Sequence, residues 1–229
     1  MTEVVLAFDC AVQGLSVAVV RDGVTLASRR EEGREQAARL VPVIAEVMQE
    51  AGVEKHALSL IAVTTGPGSF TGVRVGLATA RGLAVALGIP LAGIATTACL
   101  LAQAEAGDRL AVAAIDTHLG DWFCAIRAGD QAPSEVAPVP FVSSTEGLAT
   151  HLDGKPCLVV GLEADRLAPL LPDARAQVAL PDPATLARLA LEAGVEGWRV
   201  RNRTEGLPRP LYLRGVNITT PDGVRRTVE

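Results

Sequence analysis

The chain has 229 residues, 49% of them apolar and 21% charged, with a formal net charge of −5. That length allows one large domain or two lobes of about 100 residues each, and the composition excludes a disordered chain. The negative balance argues against a protein whose main task is gripping phosphate backbones. Residues 4–8 form a short apolar run, 15–20 a second and 24–29 a third. Arg21-Asp22-Gly23 between the last two is a hairpin signal, so three antiparallel strands are expected to open the fold. Over 34–51, Leu40, Val41, Ile44, Val47 and Met48 keep helical spacing, and Gly52 stops the helix. A buried strand is expected at 58–64, then the loop 66–71, a helix over 72–87, a strand over 91–94 and a helix over 97–106. No charge occurs from 82 to 104, long enough to raise the question of a membrane span. Gly88, Pro90, Thr96 and Thr97 interrupt it, so helix, strand, helix is the better reading and no membrane association is expected.

The second half begins as the first does. Residues 4–20, VVLAFDCAVQGLSVAVV, lie on 111–127, AVAAIDTHLGDWFCAIR, without a gap. Phe8 falls on Ile115, Asp9 on Asp116, Ala18 on Ala125 and Val19 on Ile126. An extended piece at 136–142, a helix near 145–152, a buried strand at 157–160 and helices at 164–171 and 184–193 repeat the order of the first half. Two α/β lobes are therefore expected, 1–106 and 107–229, the second ending in an irregular arginine-rich tail. From 195 onward seven arginines stand against four acids, which fits a solvated tail or a secondary contact to RNA or an acidic partner.

Cys10, Cys99, Cys124 and Cys157 are scattered and mostly sit in apolar runs, where cysteine acts as a small core residue. With a strand at the very start and no visible leader, a reducing cytoplasm is the expected location. His56, His118 and His151 are far apart and build no local metal site. Ser69 sits in a glycine-rich loop that is not a nucleophile elbow, and nothing identifies a base for it.

The segment GPGSFTGVRVGLATARGLA, 66–84, is the most informative. Gly66 and Gly68 permit unusual backbone angles, and a glycine loop entering a helix exposes N–H groups that can hold an anion. It is neither a Walker loop nor a dinucleotide loop, so the phosphate signal is weak. In the helix, Gly72, Gly76, Ala80, Ala84 and Gly88 recur every fourth residue and leave one ridge nearly bare. A bare ridge implies close approach of another backbone, which is either the protein's own sheet or a second polypeptide. Arg74 and Arg81 lie on other faces, where they rim such a contact or stand in solvent.

Paired lobes that each open with a hairpin whose first strand ends in Asp resemble the actin, Hsp70 and hexokinase superfamily. The resemblance implies a duplicated actin-like ATPase fold with a nucleotide between the lobes, and places Asp9 and Asp116 at its phosphate- and metal-contacting acids. Each Asp equally fits a turn cap at a strand end. The segment 66–93, the opening LAFDCA and the late Pro210-Leu211-Tyr212-Leu213-Arg214 together resemble the TsaB (YeaZ) family over 4–214. That resemblance implies a role in forming N6-threonylcarbamoyladenosine at position 37 of transfer RNAs reading codons that begin with A. It also implies a non-catalytic subunit paired with its paralogue TsaD, which carries a His-x-x-x-His metal pair. Aligned through Gly88, Pro90 and Gly93, Thr96 and Leu100 occupy those positions here, and neither replaces an imidazole. No cofactor of its own is expected. Pairing with TsaD is expected through the two N-lobe helices, with Leu40, Val41, Ile44, Gly72, Arg74, Val75, Gly76, Ala80 and Ala84 at the interface. A homodimer through the same surface, contact with the ATPase TsaE, and only indirect contact with tRNA complete the implied assembly. Arg34-Glu35-Gln36 departs from the His-Ser-type helix start frequent among relatives. The alternative is a nucleotide-binding phosphotransferase of the superfamily, against which the lone Gly161 after the strand near Val160 speaks.

Overall fold

The computed structural model describes residues 2–33, 35–128 and 138–214, together with the backbone of 216–219 and 225–228. β1 (Val4–Asp9), β2 (Leu15–Arg21) and β3 (Val24–Glu31) form the expected antiparallel meander. α1 (Gln36–Glu50), β4 (Leu60–Thr64), α2 (Phe70–Leu87) and β5 (Leu91–Ile94) follow, with β4 and β5 added in parallel beside β1. Arg34, the expected helix start, lies outside the described residues; Glu35 holds the N-cap position without a side-chain cap. The sheet order is β3-β2-β1-β4-β5.

The second half repeats this after α3 (Thr96–Ala102). β6 (Leu110–Asp116), β7 (Trp122–Arg127), β8 (Phe141–Ser143), α4 (Thr145–Leu152), β9 (Cys157–Gly161), α5 (Ala164–Leu167) and β10 (Ala174–Val178) build a sheet ordered β10-β9-β6-β7-β8. Read from the other edge, that is the order of the first sheet. The duplicated five-stranded sheet with helices on both faces is an actin-like α/β fold. Two details correct the ungapped repeat. Asp9 pairs with Ser16 across the first hairpin, whereas Asp116 pairs with Trp122, so the second turn is one residue shorter. Ala7 faces Ala18 and Ala114 faces Cys124, which makes Cys124, not Ala125, the counterpart of Ala18. The extended piece shortens to β8, and 136–137 lie outside the described residues.

The strands of the first sheet are apolar throughout because both faces are covered. Leu6, Phe8, Val17, Val19, Ile61 and Val63 pack beneath α1 and α2. The opposite face is smaller, with Ala7, Ala18, Ala62 and Ala92, and receives α6 (Pro183–Glu192) through Leu186, Ala187 and Ala190. α7 (Val195–Thr204) joins that layer through Trp198, whose Nε1 donates to Ala190 O at 2.8 Å. Asn202 then closes the β5 edge, accepting from Leu91 N at 2.7 Å and donating to Leu91 O at 3.0 Å. The expected second lobe, 107–229, therefore describes its sheet but not its last helices, which cover the first sheet. In exchange, α3 packs on β6, β7 and β9, while its Cys99 stays in the core beneath α6.

β10 and α7 answer no sequence signal read above. β11 (Val216–Thr219) and β12 (Arg225–Val228) pair antiparallel where an irregular tail is expected. The uncharged stretch resolves as the end of α2, then β5, then α3. α2 has the length and composition of a membrane span, but its buried face packs on β4 and β1, and Arg74 and Arg81 lie within it.

Candidate functional site: an interlobe cleft and an outer helix face

A cleft of about 800 Å3 lies between the β1–β2 and β6–β7 turns, lined among others by Ala11, Gln13, Gly68, Asp116, His118 and Glu163. Of the two acids expected to face it, only Asp116 does. Its Oδ1 accepts from His118 N at 2.7 Å and its Oδ2 from Arg166 Nη1 at 3.1 Å. Glu163, unmarked in the sequence, stands nearby; burial and then the Asp116 charge raise its pKa. No lysine or arginine is among the described residues lining the cleft. Asp9 is 1% exposed, outside that lining, and accepts from Thr64 Oγ1 at 2.5 Å and Ala11 N at 3.0 Å. Burial, its largest influence, pushes its carboxyl up, and Oδ2 has no hydrogen-bond partner.

The glycine loop is spent on packing. Ser69 N donates to Ala11 O at 2.7 Å, and Ser69 Oγ caps α2 by accepting from Gly72 N at 3.2 Å. A Cβ on Gly68 would lie 2.3 Å from Ala11 O, and one on Gly72 would lie 1.8 Å from Cys10 O. These two glycines let the loop and helix touch the β1–β2 turn, and the N–H of Ser69 is committed within the protein. The four cysteines are buried, and burial pushes their thiols up, so they are core residues. Thr96 and Leu100 are buried at the head of α3.

The bare ridge faces inward, which corrects the expected interface. Gly72, Gly76, Ala80 and Ala84 are buried against the protein's own sheet, with Gly76 beside Val63 and Cys10. Leu40 and Ile44 are likewise core residues of α1. A buried residue offers no surface to a partner, so these six drop out. Val41, Arg74 and half-buried Val75 remain at the surface. They belong to a second, outward ridge that the same fourfold spacing encodes one row over. α1 exposes Ala37, Ala38, Val41, Pro42 and Ala45; α2 exposes Arg74, Ala78, Gly82, Val85 and Ala86. Val41 is 57% and Val85 72% exposed. The two helices pack side by side, and each carries exposed small or apolar residues, with Arg74 among them.

Arg74 and Arg81 also have structural work. Arg74 lies 3.8 Å over the Phe70 ring and donates through Nε to Tyr212 Oη at 2.9 Å. Arg81 Nε donates to Pro208 O at 3.0 Å, and Leu211 N to Thr65 O at 2.8 Å. An Arg214–Asp121 ion pair carries this strap, 207–214, to the second hairpin.

The family model described as TsaD, tRNA N6-adenosine threonylcarbamoyltransferase, matches residues 30–119, from the end of β3 past β6. The tRNA threonylcarbamoyladenosine biosynthesis protein TsaB of Escherichia coli K12 is 33% identical over 123 residues, 53% of each chain. The chain spans about half the length of the curated relatives it matches. A solved structure of an uncharacterised Pseudomonas aeruginosa protein with similarity to peptidase YEAZ is 30% identical, with TM-score 0.76 over 93% of this chain and 100% of that one. YeaZ from Pseudomonas aeruginosa is 30% identical, with TM-score 0.69 over 85% of this chain and 95% of that one. The chain belongs to the TsaB (YeaZ) family. In this TsaB-family chain the stretch shared with the TsaD model holds both outer helices, the glycine loop and Asp116.

Proposed function

We propose that this protein is the non-catalytic subunit that docks on a TsaD-type transferase in forming N6-threonylcarbamoyladenosine on tRNA. The observation that carries the reading is the set of exposed, mostly small or apolar residues on the adjacent helices α1 and α2, among them Ala37, Val41, Ala45, Ala78 and Gly82. Small side chains let a second pair of helices approach closely, and a face poor in charge is what an interface core requires. The cytoplasm is the compartment of this chemistry. The same face serves a homodimer when TsaD is absent, a TsaE-type ATPase joins the pair, and tRNA meets the assembly through the transferase. Thr96 and Leu100, both buried, leave the transfer chemistry to the partner.

The test is size-exclusion chromatography with TsaD. Val41→Glu and Ala78→Glu, both on exposed positions, are expected to weaken the complex about a hundredfold while leaving the isolated fold intact. Persistence of the complex in both variants sinks the docking surface, and threonylcarbamoyl transfer by this chain alone sinks the non-catalytic role. Gly76→Leu does not serve, because a Cβ there already lies 3.5 Å from Val63 Cγ2.

The cleft's size favours a second reading, a nucleotide site. Its lining offers Asp116, paired with Arg166, and Glu163, but no lysine or arginine of its own to hold a phosphate. Calorimetry with Mg-ATP decides it: micromolar binding and turnover by this chain alone support a phosphotransferase.

A further inference from the structure

At the C-terminal end of α2, its last turn, α7 and the strap line an open groove of about 250 Å3. Val85, Ile89 and Leu207 make its apolar walls, and Arg199 and Arg203 stand one helical turn apart on α7. No acid is among the described residues lining it. Arg199 shares its charge only with Glu196, at 3.2 Å, and Arg203 has no acid partner among the described residues. The walls are held from behind. Asn202 ties α7 to Leu91 with two hydrogen bonds, and Arg81 holds the Leu207–Pro208 carbonyls. An apolar slot that is fixed in advance and rimmed by two cations costs little to order on binding.

We infer that this groove binds an acidic protein segment, one large apolar side chain entering between Val85 and Leu207 while flanking carboxylates meet Arg199 and Arg203. Residues four apart on a helix lie roughly 6 Å from each other at their Cβ atoms, a spacing that carboxylates on either side of one anchor residue can span. Charge complementarity selects the occupant: the groove is a cationic site on a chain whose net charge is −5. RNA is the poorer fit. The lining presents no aromatic ring for a base to stack on, and an apolar floor gives a phosphate backbone nothing. The site needs neither α1 nor the cleft, and it meets the transferase-docking face only at Val85.

The test is fluorescence anisotropy on the full chain with a labelled peptide carrying one leucine between glutamates. Its leucine-to-serine form, its all-lysine form and bulk tRNA are the comparison probes. Micromolar binding of the acidic leucine peptide is expected, falling about tenfold in Arg203→Glu, further in the Arg199→Glu/Arg203→Glu pair, and also in Val85→Glu on the opposite wall. Arg175→Glu, an equal charge change at an exposed position on β10, is expected to leave binding unchanged. Absence of peptide binding overturns the inference. So do equal binding of the serine peptide, an equal loss in Arg175→Glu, or tRNA as the one probe whose binding Arg203→Glu weakens. Thermal melts of each variant confirm that a loss of binding is not a loss of fold.

Discussion

Asp9 ends β1 with its carboxyl buried, two donors on Oδ1 and none on Oδ2. Burial raises its pKa above the unfolded value, so between the two values the folded state binds more proton at this carboxyl than the unfolded state does. The stability this contributes is complete below the unfolded pKa and is lost as pH rises through the folded one. Asp9→Asn keeps the acceptor and removes the titration. Its melting temperature is expected to fall less with rising pH than the wild type's, and a parallel fall in both proteins would refute the buried proton. Glycines along α2 give a second contrast. Gly72→Ala drives a methyl into Cys10 O and is expected to cost about 3 kcal/mol. Gly82 has nothing within 4 Å, so Gly82→Ala is expected to gain about 0.5–1 kcal/mol from helix propensity. Urea unfolding measures both, and equal effects would mean that α2 faces the other way.

At the scale of elements, caps and edges decide where segments stop. Ser69 caps α2, Ser144 caps α4 and Asp182 caps α6, each accepting from an N–H three residues on. Ser69→Ala is expected to cost about 1 kcal/mol, with no effect on docking because its side chain lies away from the outer face. α1 lacks such a cap and contains Pro42 on its solvent side, where the carbonyl left without a donor reaches water. It is held instead by its buried stripe and by surface ion pairs of Arg29 with Glu46 and Glu50 and of Arg39 with Glu31. Exposed pairs of this kind contribute little each, so the stripe of Leu40, Val43, Ile44 and Val47 sets the helix position. Asn202 replaces a missing sixth strand at the β5 edge. Asn202→Ala is expected to cost about 1–2 kcal/mol by leaving both Leu91 groups without their protein partner, and faster hydrogen exchange at Leu91 is the readout.

For the whole molecule, the exchange of helices between sheets is the controlling feature. The face of the first sheet formed by Val5, Ala7, Ala18, Ala62 and Ala92 is covered by α6, which comes from the far end of the chain. A fragment ending at residue 106 would leave that face in water, and is expected to lack a cooperative unfolding transition. A folded, soluble fragment with near-ultraviolet dichroism would show that the first sheet does not need α6. The strap adds a further tie, running from α7 across the glycine loop to Asp121 on the second hairpin. The two sheets therefore share their covering layers, and the cleft between their turns is bounded by parts of both.

Period and punctuation carried the elements. Asp22-Gly23, the helical stripe of α1, and the break at Gly88 and Pro90 are local features, and local features determine strand, helix and turn before any packing. The family resemblance was equally local, concentrated in 66–93. Direction was not. The ridge of Gly72, Gly76, Ala80 and Ala84 declares a close contact, but only the position of β1 and β4 decides that the contact is internal and that Ala78 and Gly82 are left outside. Asp9 and Asp116 look equivalent along the chain, and the side of the sheet on which each carboxyl falls makes one a buried acid and the other a wall of the cleft. α7 has one buried apolar anchor in a run of arginines, too little pattern to be read, and is held because Trp198 bonds Ala190 on the neighbouring α6 and Asn202 finds Leu91, 111 residues away in the first sheet. Spacing states that a face is buried; only the partner surface, contributed by distant chain, states against what.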